Sequence, residues 1–181
     1  MWLWGQASLK IKAREGNIML KQKIYVKRQK QSFGEAGIAS LCRRAVKATL
    51  HEEGIDIAVE VEVLISDDKG IAEINHTHRG KAQPTDVLSF PTGNYTPGAF
   101  SADMADFNPE TGCVHLGDIV LSNQRAVAQA REFGHETNRE IAYLVVHATL
   151  HLLGYDHQVE EEKAVMRKQE EQILQKLGLM R

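Results

Sequence analysis

The segment HATLHLLGYDH, from His147 to His157, constrains the fold of this chain more than any other. His147 and His151 are four residues apart, so on an α-helix they share one face with Cβ atoms about 5–6 Å apart, and both can reach one metal ion. Gly154 allows the chain to leave the helix in a left-handed conformation and to bring His157 to the same ion. Because three nitrogen ligands leave one tetrahedral position open, as in catalytic zinc sites, we predict one zinc ion bound by His147, His151 and His157.

The histidine spacing is similar to the H-E-x-x-H-x-x-G-x-x-H pattern of metzincin proteases, in which the glutamate acts as general base. Ala148 occupies the position of that glutamate here. Since a methyl group cannot accept a proton, the pattern predicts the metal-binding frame without the proteolytic base and argues against peptide hydrolysis. The alternative interpretation is three unrelated histidines, some of them buried in a core.

Length and composition predict one soluble domain. A chain of 181 residues can bury a sizeable core, and no apolar run approaches the ~20 residues that a membrane-spanning helix requires. Cys42 and Cys113 are far apart in the sequence, so we expect no disulfide framework and no cysteine metal site. This cysteine usage fits a reducing compartment, and we predict a cytoplasmic protein, with an organelle as the alternative.

The beginning of the chain differs from the remainder. Residues 1–18 show no clear period, so we predict a disordered extension there and a single domain over 19–181, with a weak targeting extension as the alternative. The first 50 residues carry 11 Lys and Arg against two acidic residues, which leaves 11 against 22 in the remainder. The basic segment 21–30 either binds a phosphate backbone or forms a solvated face.

Hydrophobic periodicity predicts the order strand, helix, strand, helix, two strands and three helices. The predicted strands lie near 24–26, 57–65, 86–90 and 114–121, and the predicted helices cover 35–53, about 67–80, 122–133, a histidine helix that begins at a capping box of Thr137 and Glu140, and 159–177. The Gly/Pro/Asp-rich residues between the last two strands predict a mobile acidic flap, with a disordered insertion as the alternative.

This order of elements predicts an α+β fold. A single small mixed sheet of about four strands, covered mainly on one face by helices, buries the apolar sides of both layers. The metal-binding helix is expected to pack centrally.

Two further segments complete a resemblance to a known family: NHTHRGKAQPTDVLSFP, which begins at Asn75, and HLGDIVLS, which begins at His115. Together with the histidine segment, they make the chain resemble the YbeY family of zinc-dependent endoribonucleases, the bacterial and organellar rRNA maturation factors. The resemblance implies a zincin-like α+β fold and a three-histidine zinc site. It also implies single-strand-directed RNA cleavage in small-subunit rRNA 3′-end maturation and ribosome quality control, with the rRNA precursor, the small subunit and ribosome-associated proteins as partners.

Arg79 matches the family's functional arginine. Its guanidinium is permanently charged and can bind a phosphate through two parallel hydrogen bonds, while a zinc ion can polarise an oxygen or supply hydroxide. We therefore predict that Arg79 and the ligand His147 are catalytic and that Arg79 also binds substrate; a solvated loop charge is the alternative for Arg79.

The remaining polar residues receive weaker predictions. Asp86, Asp118 and Asp156 either hydrogen-bond the outer nitrogen of a ligand histidine or cap a loop. No role is assigned to the histidines outside the motif: His76, His78, His115 and His135.

Two other functions compete with the ribonuclease. A zinc peptidase or amidase would need a general base elsewhere in the chain, because Ala148 cannot serve. A non-catalytic, zinc-containing ribosome assembly factor would lose stability when the metal is removed, because structural metal binding is coupled to folding.

Overall fold

The structure, a computed structural model, describes residues 22–180 as one four-stranded mixed sheet with five α-helices. The strands are β1 (Lys23–Arg28), β2 (Val59–Ser66), β3 (Val87–Pro91) and β4 (Val114–Ser122), and the helices are α1 (Ile38–Glu52), α2 (Asp68–Arg79), α3 (Asn123–Glu132), α4 (Thr137–Leu152) and α5 (Glu160–Lys176). This arrangement confirms the α+β class and the predicted order of elements. The extension predicted over 1–18 lies outside the described residues.

The strand order in the sheet is β1-β2-β4-β3. Strands β1, β2 and β4 are parallel, whereas β3 pairs antiparallel with β4 and forms one edge of the sheet. Burial alternates along β2, because every second residue from Val59 to Ile65 is buried while Glu60, Glu62 and Leu64 between them are only partly buried. The buried residues are Val59, Val61, Val63 and Ile65.

The two faces of the sheet are covered unequally. The main core lies on the face where α1, α4 and α5 pack, and α4 is its central helix with eleven buried residues. On the other face Ile71 of α2 packs against Leu88 and Val120 in a small second cluster. In the described part of the chain, no helix is long and apolar enough to cross a membrane.

Side chains cap the N-termini of two helices. The Asp67 carboxylate accepts a hydrogen bond from the backbone N–H of Gly70 (2.8 Å), and Ser122 Oγ accepts one from that of Arg125 (3.2 Å).

The capping box predicted for Thr137 and Glu140 is wrong. Helix α4 has Glu136 as its N-cap and no side-chain cap. The Glu140 carboxylate is instead 3.4 Å from the ring of His135, which lies in the turn just before the helix.

The segment between β3 and β4, predicted as an acidic flap, contains a short 3₁₀ helix at Met104–Asp106. Four apolar side chains of the β3–β4 segment pack against the main core, those of Tyr95, Phe100, Ala102 and Phe107. The segment is therefore anchored on the domain, and its mobility stays a prediction.

Gly117 lies at an irregularity in the pairing of β2 with β4, with φ 137°. A Cβ atom here would lie 2.1 Å from the carbonyl oxygen of Phe90. The missing side chain therefore allows β3 to pair closely with β4, and β3 forms one wall of the cavity described below.

We expect Gly117→Ala to lower the free energy of unfolding by about 2 kcal/mol more than Gly112→Ala, because only the former forces backbone atoms apart. Gly112 also has a left-handed backbone, but a Cβ atom there meets nothing within 4 Å. Urea denaturation of both variants measures the difference. Equal losses would mean that the close approach of Phe90 is unimportant for stability.

Candidate metal centre

Helix α4 and the turn after it bring the three predicted histidines together. The Nε2 atoms of His147 and His151 are 3.1 Å apart, and the His157 ring centroid is 5.4 Å from that of His147 and 5.0 Å from that of His151. One ring nitrogen from each histidine lies within 4.8 Å of the other two. Three imidazole nitrogens at these separations can bind one metal ion.

The turn after α4 depends on Gly154. This residue has φ 91°, and a Cβ atom on it would lie 2.0 Å from the carbonyl oxygen of Tyr95. The Asp156 carboxylate then accepts hydrogen bonds from the backbone N–H of His157 (2.7 Å) and from Gln158 Nε2 (2.8 Å). Asp156 therefore caps this turn and fixes the backbone of the third histidine.

The outer nitrogens of two histidines are held by hydrogen bonds. His147 Nδ1–H donates to the Glu170 carboxylate at 2.7 Å, and His151 Nδ1–H donates to the carbonyl oxygen of Tyr155 at 2.7 Å. These hydrogen bonds leave the Nε2 lone pairs of both rings directed at the shared site. The donor set therefore fits a metal ion, since ligand histidines commonly donate their second N–H to a carboxylate or a backbone carbonyl.

Glu170 is the functional residue that the sequence reasoning missed. It is 5% exposed and lies on the buried face of α5 with Met166, Ile173 and Leu174. The signal in the sequence is an acidic residue at a position where helical periodicity demands an apolar one. A buried carboxylate requires a partner, and here that partner is a ligand histidine.

Burial sets the protonation of two groups at the site. It lowers the pKa of His151 to about 4, assisted by the nearby His147 ring, so this imidazole is neutral at physiological pH. It also raises the pKa of Tyr143 to about 12, assisted by the negative charge of Glu170. Tyr143, whose ring centroid is 5.9 Å from that of His147, therefore keeps its phenolic proton and can donate it in a hydrogen bond.

An open cavity of about 850 Å³ lies in front of the three histidines. Its lining includes Arg79, Tyr95 and Tyr143, together with the edge strand β3. Arg79 ends α2, and its Nη2 donates to the carbonyl oxygen of Ser89 at 3.2 Å. The structure therefore places the predicted arginine in the same cavity as the predicted metal ligands.

The other polar residues named from the sequence do not touch the ligand histidine rings. Burial alone would raise the pKa of Asp86, but hydrogen bonds from Gln129 and the Val87 N–H hold it below its usual value. Asp118 is 3.2 Å from His115. These two aspartates therefore have structural partners away from the ligands.

The described part of the basic segment, residues 22–30, does not line the cavity either. Lys27 pairs with Glu62 at 2.8 Å and Lys30 pairs with Asp67 at 3.1 Å, so neutralising partners lie within the fold.

A mixed four-stranded sheet with three histidines on its central helix and the following turn defines a class, the α+β proteins with a three-histidine metal centre. The family model described as Endoribonuclease YbeY matches residues 23–178. The chain therefore belongs to the YbeY family, which confirms the resemblance seen in the sequence.

Named relatives agree with this assignment, and a solved structure shares the fold. Endoribonuclease YbeY of Caldanaerobacter subterraneus subsp. tengcongensis is 44% identical over 146 residues, which cover 81% of this chain and 91% of that protein. Endoribonuclease YbeY of Clostridium tetani is 41% identical over 165 residues, covering 87% and 99%. The solution structure of TM1509 from Thermotoga maritima has the same fold, with a TM-score of 0.53 and 24% identity over 85% of this chain and 91% of that one.

We expect Glu170→Gln to weaken metal binding by about 10- to 100-fold, because it replaces the carboxylate that orients His147. Competition with a chromophoric zinc chelator measures the affinity. Glu162→Gln is the matched control, since Glu162 is an exposed glutamate of the same helix. Equal affinities for the wild type and Glu170→Gln would show that the hydrogen bond does not support the ligand.

Acid should destabilise the metal-free protein through His151. This histidine titrates near 6.5 in the unfolded chain and near 4 in the folded protein, so between these values the unfolded state binds a proton that the folded state does not. The free energy of unfolding therefore falls as the pH is lowered through this window. Part of that loss should disappear in His151→Asn.

Urea unfolding in the presence of a chelator, at neutral pH and at about pH 5, measures this dependence. His51→Asn, which changes an exposed histidine of α1, is the control and should behave like the wild type. The assignment to His151 fails if the His151→Asn and wild-type proteins lose the same free energy between the two pH values.

Proposed function

We propose that this chain is a metal-dependent endoribonuclease that cuts single-stranded RNA. The observation that carries the proposal is the cavity in which Arg79 accompanies the three histidines. A guanidinium beside a metal site suits an anionic phosphodiester, whose transition state gathers charge on the non-bridging oxygens. The relatives are named as endoribonucleases, which supports the same activity.

We infer that His147, His151 and His157 hold one zinc ion. Three imidazoles suit zinc, although nickel and copper accept the same donors, so the metal content must be measured. When bound, such an ion polarises a phosphoryl oxygen and lowers the pKa of a coordinated water. Glu170 and the Tyr155 carbonyl oxygen orient two of the ligands for this purpose.

Arg79 is proposed as the residue that binds the scissile phosphate. Its side chain is exposed and donates to the Ser89 carbonyl oxygen, and its Cζ atom is 5.8 Å from the Phe90 ring centroid. These contacts hold the guanidinium at the wall of the cavity and leave other N–H donors for a phosphate. Tyr143, which stays protonated, supplies a further donor to a substrate oxygen.

The proposed biological substrate is the precursor of small-subunit rRNA, cut during maturation of its 3′ end and in ribosome quality control. The resemblance of the three sequence segments to YbeY proteins supports this proposal. The small ribosomal subunit and ribosome-associated proteins are the proposed partners, and the cytoplasm is the proposed location. RNA cleavage itself breaks a P–O bond by attack of water or of the 2′-hydroxyl, and the end groups distinguish these two routes.

The two competing functions are less well supported. Ala148, in the position of the peptidase base, is fully buried. A peptide that paired with the edge strand β3 would also compete with Arg79 for the Ser89 carbonyl oxygen. A purely structural metal is disfavoured because three protein ligands beside an open cavity leave a coordination position for water or substrate.

We expect His151→Ala to lose both the metal and RNA cleavage. Arg79→Gln should keep its metal and lose about 10²-fold in activity, because it lacks only the positive charge that contacts the phosphate. The measurement is cleavage of a structured RNA with a single-stranded tail, with metal content and end groups determined for each protein. Arg131→Gln, a change at an exposed arginine of α3 outside the cavity, is the control and should cut normally. If all variants cut equally, the activity belongs to a contaminant; chelator-sensitive cleavage of a peptide would favour the peptidase.

A further inference from the structure

A second, smaller cavity of about 200 Å³ lies beside the metal centre, against α5. It shares Tyr143, His147 and His157 with the main cavity, and Lys163 and Arg167 of α5 also line it. Arg79 lines only the main cavity. The shared histidines therefore lie between Arg79 in one cavity and two α5 cations in the next.

The two cations of α5 differ in their availability. Lys163 Nζ is 3.2 Å from the Glu160 carboxylate. Arg167 is exposed and makes no hydrogen bond or ion pair with any residue that the structure describes. The Glu170 carboxylate in the wall of the same cavity accepts the hydrogen bond from His147 and makes none with Arg167. Arg167 therefore retains a full set of N–H donors for an external anion.

The cleft continues beyond Arg167. A third cavity, of about 380 Å³, shares Tyr143, Arg167 and Glu170 with the small one. Its wall includes Arg139, a 4% exposed residue whose Nε has no hydrogen-bond partner among the described residues and whose Nη2 is 3.6 Å from Glu171. The Arg139 Nε group therefore offers an unpaired hydrogen-bond donor to a polar group that enters this cavity.

We propose that the RNA strand crosses the metal centre and continues along α5, where Arg167 binds the phosphate next to the one held by Arg79. This inference rests on the proposed function. Every nucleotide contributes one negative charge, so Arg79 at the scissile phosphate and Arg167 at the next phosphate together fix the position of the scissile bond at the histidines. The cavity at Arg139, which contains both guanidinium and carboxylate groups, suits a nucleobase better than another phosphate because a base both donates and accepts hydrogen bonds.

The charge of α5 also gives the path a direction. Three exposed glutamates, Glu160, Glu161 and Glu162, form the first turn of the helix. They repel a phosphodiester, whereas Arg167 attracts one. The strand therefore passes over the middle of α5 towards Arg139 and avoids the beginning of the helix.

The test is the salt dependence of binding to a short single-stranded 2′-O-methyl oligoribonucleotide, which keeps the backbone charge and has no free 2′-hydroxyl. Fluorescence anisotropy over a range of KCl concentrations gives the slope of log K against log salt. Removing one phosphate contact should reduce the magnitude of this slope by about 0.7 in Arg167→Gln. Its metal content should stay at the wild-type value, because Arg167 does not contact a ligand.

Lys168→Gln is the matched control. Lys168 is the next residue of α5, carries the same charge and is exposed, but it lines none of the three cavities. Its slope should equal that of the wild type. An unchanged slope for Arg167→Gln, or an equal reduction for both variants, would overturn the inference while leaving RNA binding by the wild type intact; a wild type that neither binds nor cuts RNA would remove the proposed function as well.

Discussion

The hydrogen bond between His147 Nδ1 and the buried Glu170 carboxylate is the interaction on which the site depends. It joins α4, which carries two of the three histidines, to α5, which otherwise contributes apolar residues to the core. The packing of two consecutive helices thereby fixes the orientation of one imidazole. A carboxylate in this position costs desolvation free energy, and its hydrogen bond to the ring offsets that cost while making the ring a better metal ligand.

The cavity is formed where structural elements approach unusually closely. At Gly117 the backbone of Phe90 occupies the space of a side chain, and at Gly154 the backbone of Tyr95 does the same. The first approach sets β3 against β4, and the second seats the β3–β4 segment beside the turn that leads to His157. The edge strand and the loop that follows it therefore act as walls of the metal centre, with positions determined by the absence of two Cβ atoms.

Charge around the centre follows the fold more than the sequence. Lys27 and Lys30, which look like a phosphate-binding segment along the chain, pair with Glu62 and Asp67 away from the cavity. Arg79 and Arg167, which are distant in sequence, line adjoining cavities that meet at the ligand histidines. The fold thus places guanidinium groups from α2 and α5 on two sides of the candidate metal centre.

The sequence by itself determined the α+β class, the order of the elements and the presentation of His147 and His151 on one helix face, because periodicity and i, i+4 spacing are local properties. Its motifs also indicated Arg79 and the YbeY family. Only the tertiary structure revealed Glu170 as the partner of His147 and the position of Arg167 beside the candidate metal centre. Both features depend on the packing of α5 against α4, and such geometry leaves no fixed spacing in the chain.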